Sequence, residues 1–471
     1  MKAERIRRYV AGVLTGLSLT ITVPAQANSL ADALVGAYGH SGLIDQNRAL
    51  LRAADEDVAI AASQLRLIVN WAANLTRQLG DSRTSQTNGA SRSIAQTSVS
   101  ASITASLQLF DGGADRTRVD AQEEVVLATR AALINVEQQV LLRAAAAYFN
   151  VLRQQEFVAL SQHNLRLLQQ EERAAQDRFE VGEVTRTDVA LAQAAVANAR
   201  ANLARSQANL IQAQAEYTSV VGRQPGRLAG LPRLPRVQTN VPRAQSVAVR
   251  NHPDIIQAQR QVAAQDLLLR ASGLDMLPTV SVTGRLSVSD QFDNLNSTDS
   301  ASVELGVQGP IYQGGRLYAT ERKALANAQA ARGNLHNVRH TVQQDVVNAI
   351  ADLQAASASL TASERQIRAA RVAFEGIREE ATLGARTTLD VLDAEQDLLD
   401  AETNRISAQA DQYIAAYQVL ESMGLLTAAQ LKLPVQLYDP REYYNLMKTA
   451  PTKLSKQGRQ LDKVLEALTR E

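Results

Sequence analysis

Residues 279–289 read Thr-Val-Ser-Val-Thr-Gly-Arg-Leu-Ser-Val-Ser. Val280, Val282, Gly284, Leu286 and Val288 fall on one parity, and Thr279, Ser281, Thr283, Arg285, Ser287 and Ser289 on the other. A period of two over about ten residues is that of a strand with one apolar and one polar face. The run at 301–308 repeats the pattern, with Ala301, Val303, Leu305 and Val307 against Ser302, Glu304, Gly306 and Gln308. So does 98–109, where Val99, Ala101, Ile103, Ala105, Leu107 and Leu109 alternate with Ser and Thr. A weaker alternation passes through Leu67, Val69, Trp71, Ala73 and Leu75. Strands are therefore expected near 66–77, 97–110, 278–290 and 300–312. By themselves they fit either a half-buried hairpin pair or a wall between lipid and water.

Outside these runs the spacing changes to seven. Val346, Leu353, Leu360, Ile367 and Phe374 lie seven apart, as do Leu392, Leu399, Ile406, Tyr413 and Leu420. The same rule picks Val189, Val196, Leu203, Leu210 and Tyr217, and Val126, Leu133, Val140 and Ala147. Successive sevens mean supercoiled helix packing. A neighbouring stripe (Leu127, Ile134, Leu141, Tyr148) gives that helix two packed sides. Residues 114–180 contain neither Gly nor Pro, enough for a helix of ~100 Å at 1.5 Å per residue.

The chain repeats itself. Phe110-Asp111-Gly112-Gly113 returns as Tyr312-Gln313-Gly314-Gly315, Val181-Gly182 as Leu383-Gly384, Asp188-Val189 as Asp390-Val391, and Gly222 as Gly424, always 202 positions on. A constant offset requires intervening elements of equal length. The expected plan is a first repeat at 28–222 (helix, two strands, long helix 114–180, helix 186–222), a Pro-rich linker at 223–244, and a second repeat at 245–426 (helix, two strands, long helix 316–382, helix 388–424). A C-terminal segment follows at 427–471, in which Leu431 to Tyr444, with Pro434 and Pro440, is too broken for a long helix. Leu454, Leu461, Leu465 and Leu468 suggest a final amphipathic helix in it.

Composition narrows the class. The 471 residues hold 49 Lys+Arg and 48 Asp+Glu, without the basic surplus that nucleic-acid binding needs. Only 4% are aromatic, which disfavours a large compact enzyme core. No cysteine occurs, so disulfides, thiolate metal sites and lipid-modified cysteine are excluded. Residues 1–27 read as a secretory signal: Lys2, Arg5, Arg7 and Arg8, an apolar run from Tyr9 to Val23, and an Ala25-Gln26-Ala27 cleavage site. Without its four basic residues and Glu4, the net charge of +1 becomes −2. In an exported chain, two-faced strands carry the pattern of a transmembrane β-barrel. Four strands cannot close one, because the smallest have about eight, so several chains must share the sheet.

Duplicated strand pairs flanked by long heptad helices resemble the TolC family of outer-membrane channel-tunnels, over nearly the whole chain after the leader. The resemblance rests on Pro310-Ile311-Tyr312-Gln313-Gly314-Gly315, on Gly384-x-Arg386-Thr387-x-x-Asp390-Val391-Leu392-Asp393-Ala394, and on Arg178-Phe179-x-Val181-Gly182-x-x-x-x-Thr187-Asp188-Val189. It implies an α+β membrane protein: a homotrimeric twelve-stranded β-barrel, four strands per chain, continued by a twelve-helix periplasmic barrel. It implies an outer-membrane location and a passive exit duct for multidrug efflux or type I protein secretion. The implied partners are a periplasmic adaptor and an inner-membrane transporter of ABC, RND or MFS type. The family's lipid-anchored branch carries a cysteine that this chain lacks.

The tips are the expected functional site, with Gly182 and Gly384 at the helical turns and Gly112, Gly113, Gly314 and Gly315 at the strand-to-helix turns. Asp390 and Asp393 lie three apart on a helix, and in a trimer each forms a ring of carboxylates that favours cations. The plain alternative is an acidic helix N-terminus. The resemblance implies that Arg386 bonds across to Thr187 and Asp188 to close the mouth. Where the family often has a tyrosine reaching the first-repeat Asp, this chain has Ala381, so a looser lock is expected. Catalysis finds no support. His336 and His340 are four apart but lack a following Glu, His40, His163 and His252 are isolated, no Gly-Lys-Ser/Thr follows the paired glycines, and no Gly-x-Ser-x-Gly occurs. No cofactor is expected. The alternative is an exported coiled-coil interaction protein, an adaptor or adhesin, which needs neither the four strands nor the duplication.

Overall fold

A computed structural model describes residues 28–82, 92–292, 297–448 and 455–468. The leader at 1–27 and Leu454 lie outside them. Four strands form one antiparallel sheet in the order β1-β2-β3-β4: β1 Ile68–Ser82, β2 Arg92–Phe110, β3 Thr279–Gln291 and β4 Ser297–Gln308. The register collects the two parities into two faces. One row across the sheet is Val69, Ala105, Gly284 and Val303, and the next is Trp71, Ile103, Leu286 and Ala301. The opposite face carries Asn70, Thr104, Arg285 and Ser302, then Ala72, Ser102, Ser287 and Ser300, with 2.7 Å between the Ser287 and Ser300 hydroxyls. Among the described residues nothing covers the apolar face: Trp71 is 80% and Val303 84% exposed.

The strands begin and end somewhat differently from the sequence expectation. β1 and β2 run on to Ser82 and back to Arg92, because cross-strand pairing carries residues 92–97 without an alternating pattern of their own. β4 stops at Gln308 rather than 312; Gly309 and Pro310 follow, and Pro310 has no N–H for the ladder.

Helices make up most of the other described residues. α3 Ala114–Glu180 and α7 Arg316–Thr382 each hold 67 residues and start 202 positions apart, as do α4 Arg186–Val221 and α8 Thr388–Ser422. α3 packs on α4 and α7 on α8 as two long hairpins. The seven-residue stripes are the packed seams: Val346, Leu353 and Phe374 of α7 are buried, as are Val189, Val196 and Tyr217 of α4. In place of the single helix expected ahead of each strand pair there are two. α1 Leu30–His40 and α2 Gly42–Ser63 meet at Ser41, whose side chain caps α2. α5 Val241–Asn251 and α6 Pro253–Leu274 meet at His252, which the following proline holds in extended backbone. α5 also starts inside the expected linker, with Asn240 accepting from Arg243 N as its cap.

The core lies midway along the long helices, where both hairpins, the linker and the tail meet. Tyr148 and Phe149 are fully buried, with ring centroids 5.5 Å apart edge to face and Phe149 4.9 Å from Tyr413. Tyr148 Oη donates to Gly230 O at 2.9 Å and Tyr413 Oη to Pro232 O at 2.7 Å, so two buried rings pin the linker across the hairpins. Gly424 turns the chain out of α8 at φ +72°. A Cβ there would stand 2.7 Å from the Asn251 carbonyl, so only glycine fits. The tail adds α9 Pro440–Lys448 and α10 Lys456–Leu468. α9 lies on α2, with Tyr443 Oη donating to Glu56 Oε1 at 2.8 Å.

Candidate functional site

The two hairpin turns share one local design. After α3 the chain passes Val181 and Gly182 (φ +82°), and Glu183 N donates to Arg178 O at 2.8 Å. After α7 it passes Leu383 and Gly384 (φ +76°), and Ala385 N donates to Glu380 O at 2.9 Å. These are 6→1 closures of the last helical turn around a left-handed glycine. The next helix then opens with a capping box. Thr185 N and Oγ1 donate to Asp188 Oδ2 at 2.9 and 2.7 Å, and Asp188 N donates back to Thr185 Oγ1 at 3.4 Å. Thr387 and Asp390 repeat the arrangement at 2.9, 2.9 and 3.2 Å.

These bonds set the charge at the tips. The Thr185 side chain, then its backbone, holds the Asp188 carboxyl below its ordinary range. The Thr387 backbone, then its hydroxyl, does the same for Asp390, with help from the Arg386 guanidinium. Both acids stay ionised at any physiological pH, at helix N-termini that favour negative charge. Asp390 Oδ2 accepts both cap bonds from Thr387. Asp393 is exposed one turn further along α8.

Arg386 stays in its own turn. Within the chain its Nε donates to Glu380 Oε2 at 2.9 Å, in the same turn, and it bonds neither Thr187 nor Asp188. Asp188 is already engaged by Thr185, and Thr187 is exposed. The residue 202 positions before Thr387 is Thr185, and the Thr-x-x-Asp spacing of a capping box marks both. Ala381 is buried with Phe374, Val391 and Ala394, so this position serves packing within the second hairpin.

At the opposite end of the long helices, Gly112 and Gly113 (φ +69° and +87°) and Gly314 and Gly315 (φ +59° and +83°) make the strand-to-helix turns. Asp111 receives Gly113 N at 2.8 Å and Asp115 N at 2.7 Å. Arg118 clamps that turn to Asp275 at the end of α6, with 2.6 Å to Oδ2.

Above the tips is a group that the sequence reading did not single out. Glu395 of α8 is 3% exposed, and its Oε1 accepts from Asn164 Nδ2 of α3 at 2.8 Å. Glu171 of α3 lies near it and bonds Arg378 of α7 at 3.1 Å. Burial, then the Glu171 charge, pushes the Glu395 carboxyl up to about 7. The signal was present in the heptads: Glu171 stands three after the seam residue Leu168 and Glu395 three after Leu392, the spacing of inner positions. His336 and His340 lie on an exposed face with ring centroids 4.4 Å apart, and among the described residues no group of three His, Asp or Glu could hold a metal.

Comparison with known proteins places this geometry. The profile of the outer membrane efflux protein family matches residues 37–223 and again 245–425. The outer membrane efflux protein BepC of Brucella suis is 35% identical over 444 residues, 93% of this chain and 94% of that one. The outer membrane protein TolC of Escherichia coli is 26% identical over 275 residues, 54% of this chain and 55% of that one. The CmeC outer membrane channel of Campylobacter jejuni superposes with a TM-score of 0.75, covering 89% of each chain at 16% identity. The chain belongs to the outer membrane efflux protein family.

Proposed function

We propose that this chain is one third of a passive exit duct, a homotrimer in which the sheets of three copies close one twelve-stranded barrel in the outer membrane. The observation that carries it is the sheet: one face apolar and uncovered, the other Ser- and Thr-rich, with β1 and β4 as free edges. Free edges cannot stand in lipid, and pairing β4 of one copy with β1 of the next removes both. The hairpins of three copies then form a twelve-helix periplasmic tube, and the equal lengths of α3 and α7 let both hairpins reach the same depth. The chain is thus two halves of one plan, and the family profile's double match favours this reading.

A duct of this kind binds nothing in a shaped pocket. It carries what an inner-membrane transporter and a periplasmic adaptor deliver, drugs in efflux or proteins in type I secretion, and the efflux name of the BepC relative favours the first. The tips are the periplasmic mouth. Asp390 and Asp393 of three copies ring it with carboxylates, favouring small cations and admitting a multivalent plug. Reconstitution tests this reading: ion conductance across a planar bilayer supports it, and a water-soluble protein with no conductance overturns it.

A further inference from the structure

The two hairpins of one chain are joined along their length by polar bonds from α3 to the second hairpin. Arg153 meets Asp411 at 3.3 Å and Arg405 meets Glu156 at 3.3 Å, both at partly exposed sites. Further toward the tips come the Asn164–Glu395 bond and the Glu171–Arg378 pair. Among the described residues these are the last hydrogen bonds or ion pairs between the hairpins. The tip turns beyond them bond only within themselves.

Glu395 differs from the other ties. It is buried, its Oε2 has no hydrogen-bond partner, and its Oε1 carries the single bond to Asn164. Beside it is a cavity of about 50 Å³ lined by Asn198 and Asn202 of α4 and Gln396 of α8, polar and large enough for water. The charged groups facing it are Glu171 from α3 and Arg378 from α7; α4 brings no charged group to the cavity, only Asn198 and Asn202 beside Ala195 and Ala199. Arg378 is already paired with Glu171. An ionised Glu395 is therefore a buried charge with one hydrogen bond and a carboxylate neighbour, an arrangement that costs free energy unless the site opens.

We propose that Glu395 is a proton-operated latch: protonated, it holds the second hairpin against the first just above the mouth, and ionised, it lets the two separate. This rests on the exit-duct reading for its meaning, though not for its test. The sign follows from the packed site. With the carboxyl raised from an ordinary 4.5 to about 7, the packed form binds the proton more tightly than the separated form. Packing is favoured at low pH, is weakened as pH rises from about 4.5 to about 7, and gains no further penalty above that. Asp390 titrates lower still, so its ring does not contribute in this window.

The absence of native cysteine allows clean labelling. Spin labels on Glu183→Cys and Ala385→Cys, one in each tip turn, report the hairpin separation in the full-length protein diluted with unlabelled chains. The distance should lengthen between pH 5 and pH 8. Glu395→Gln, isosteric and uncharged, should hold the short distance at both pH values. Glu171→Gln removes the repelling carboxylate, so an ionised Glu395 costs less in the packed form and the lengthening at pH 8 should shrink. A pH response that survives in Glu395→Gln, or a pH 8 lengthening undiminished in Glu171→Gln, overturns the latch. Bilayer conductance of the same preparation separates the two readings. Conductance with pH-independent distances removes the latch and keeps the duct, whereas pH-dependent distances without conductance remove the duct and keep the latch.

Discussion

Arg386 donates to Glu380 at 2.9 Å inside the turn that carries both residues, instead of reaching across to the first hairpin. The pair is about half exposed, a class of ion pair that adds little to stability. Its weight is electrostatic: it sets one positive charge beside Asp390. Arg386→Glu turns that charge into another carboxylate among Glu380 and Asp390. The expected outcome is repulsion between neighbouring tips and a higher single-channel conductance with an unchanged melting temperature. Unchanged conductance would remove Arg386 from the mouth.

The capping boxes give a second prediction. Thr185→Ala deletes the hydroxyl that accepts from Asp188 N and donates to its carboxylate. A lost cap of this kind costs about 1 kcal/mol, and it should be felt locally, as faster amide hydrogen exchange in the first turn of α4 with the mid-helix core unaffected. The cap is also pH-dependent with a definite sign. The folded Asp188 carboxyl is lowered from 3.8, so its contribution is complete above that value and is lost as pH falls through the lower folded value. Exchange protection at the tip should hold at pH 5 and fail only in strong acid.

The two faces of the sheet predict opposite tolerance. Val303 sits on the apolar face, and Ser302, its neighbour in β4, on the polar one. A Lys facing lipid near the midplane costs roughly 2–4 kcal/mol. Val303→Lys should deplete the protein from the outer-membrane fraction, whereas Ser302→Lys should insert normally and alter ion selectivity. Equal loss with both variants would contradict the assignment of faces.

Much of the architecture was legible because its periods are long and unbroken. Val280 to Val288 and Val346 to Phe374 each repeat one spacing often enough to exclude the other, and the 202-residue offset located both hairpin turns. What escaped notice depends on tertiary contact. Residues 92–97 become strand only through pairing with β1. The break at His252 is the exception, since the Pro253 that causes it stands in the sequence. Glu395 reads as one more acid on an acidic helix until α3 brings Asn164 and Glu171 against it. Arg386 pairs within its own chain with Glu380, six residues back, a contact that only the folded turn shows.

The central claim is that the acidic tips form the mouth of a conducting duct, and planar-bilayer recording tests it most directly. Wild-type protein should conduct, prefer cations, and be blocked by micromolar-to-millimolar trivalent cations added on the side the helices face, whereas Asp390→Ala/Asp393→Ala should conduct without that block. A wild-type protein with no conductance, or a double variant blocked as readily as the wild type, would contradict the account.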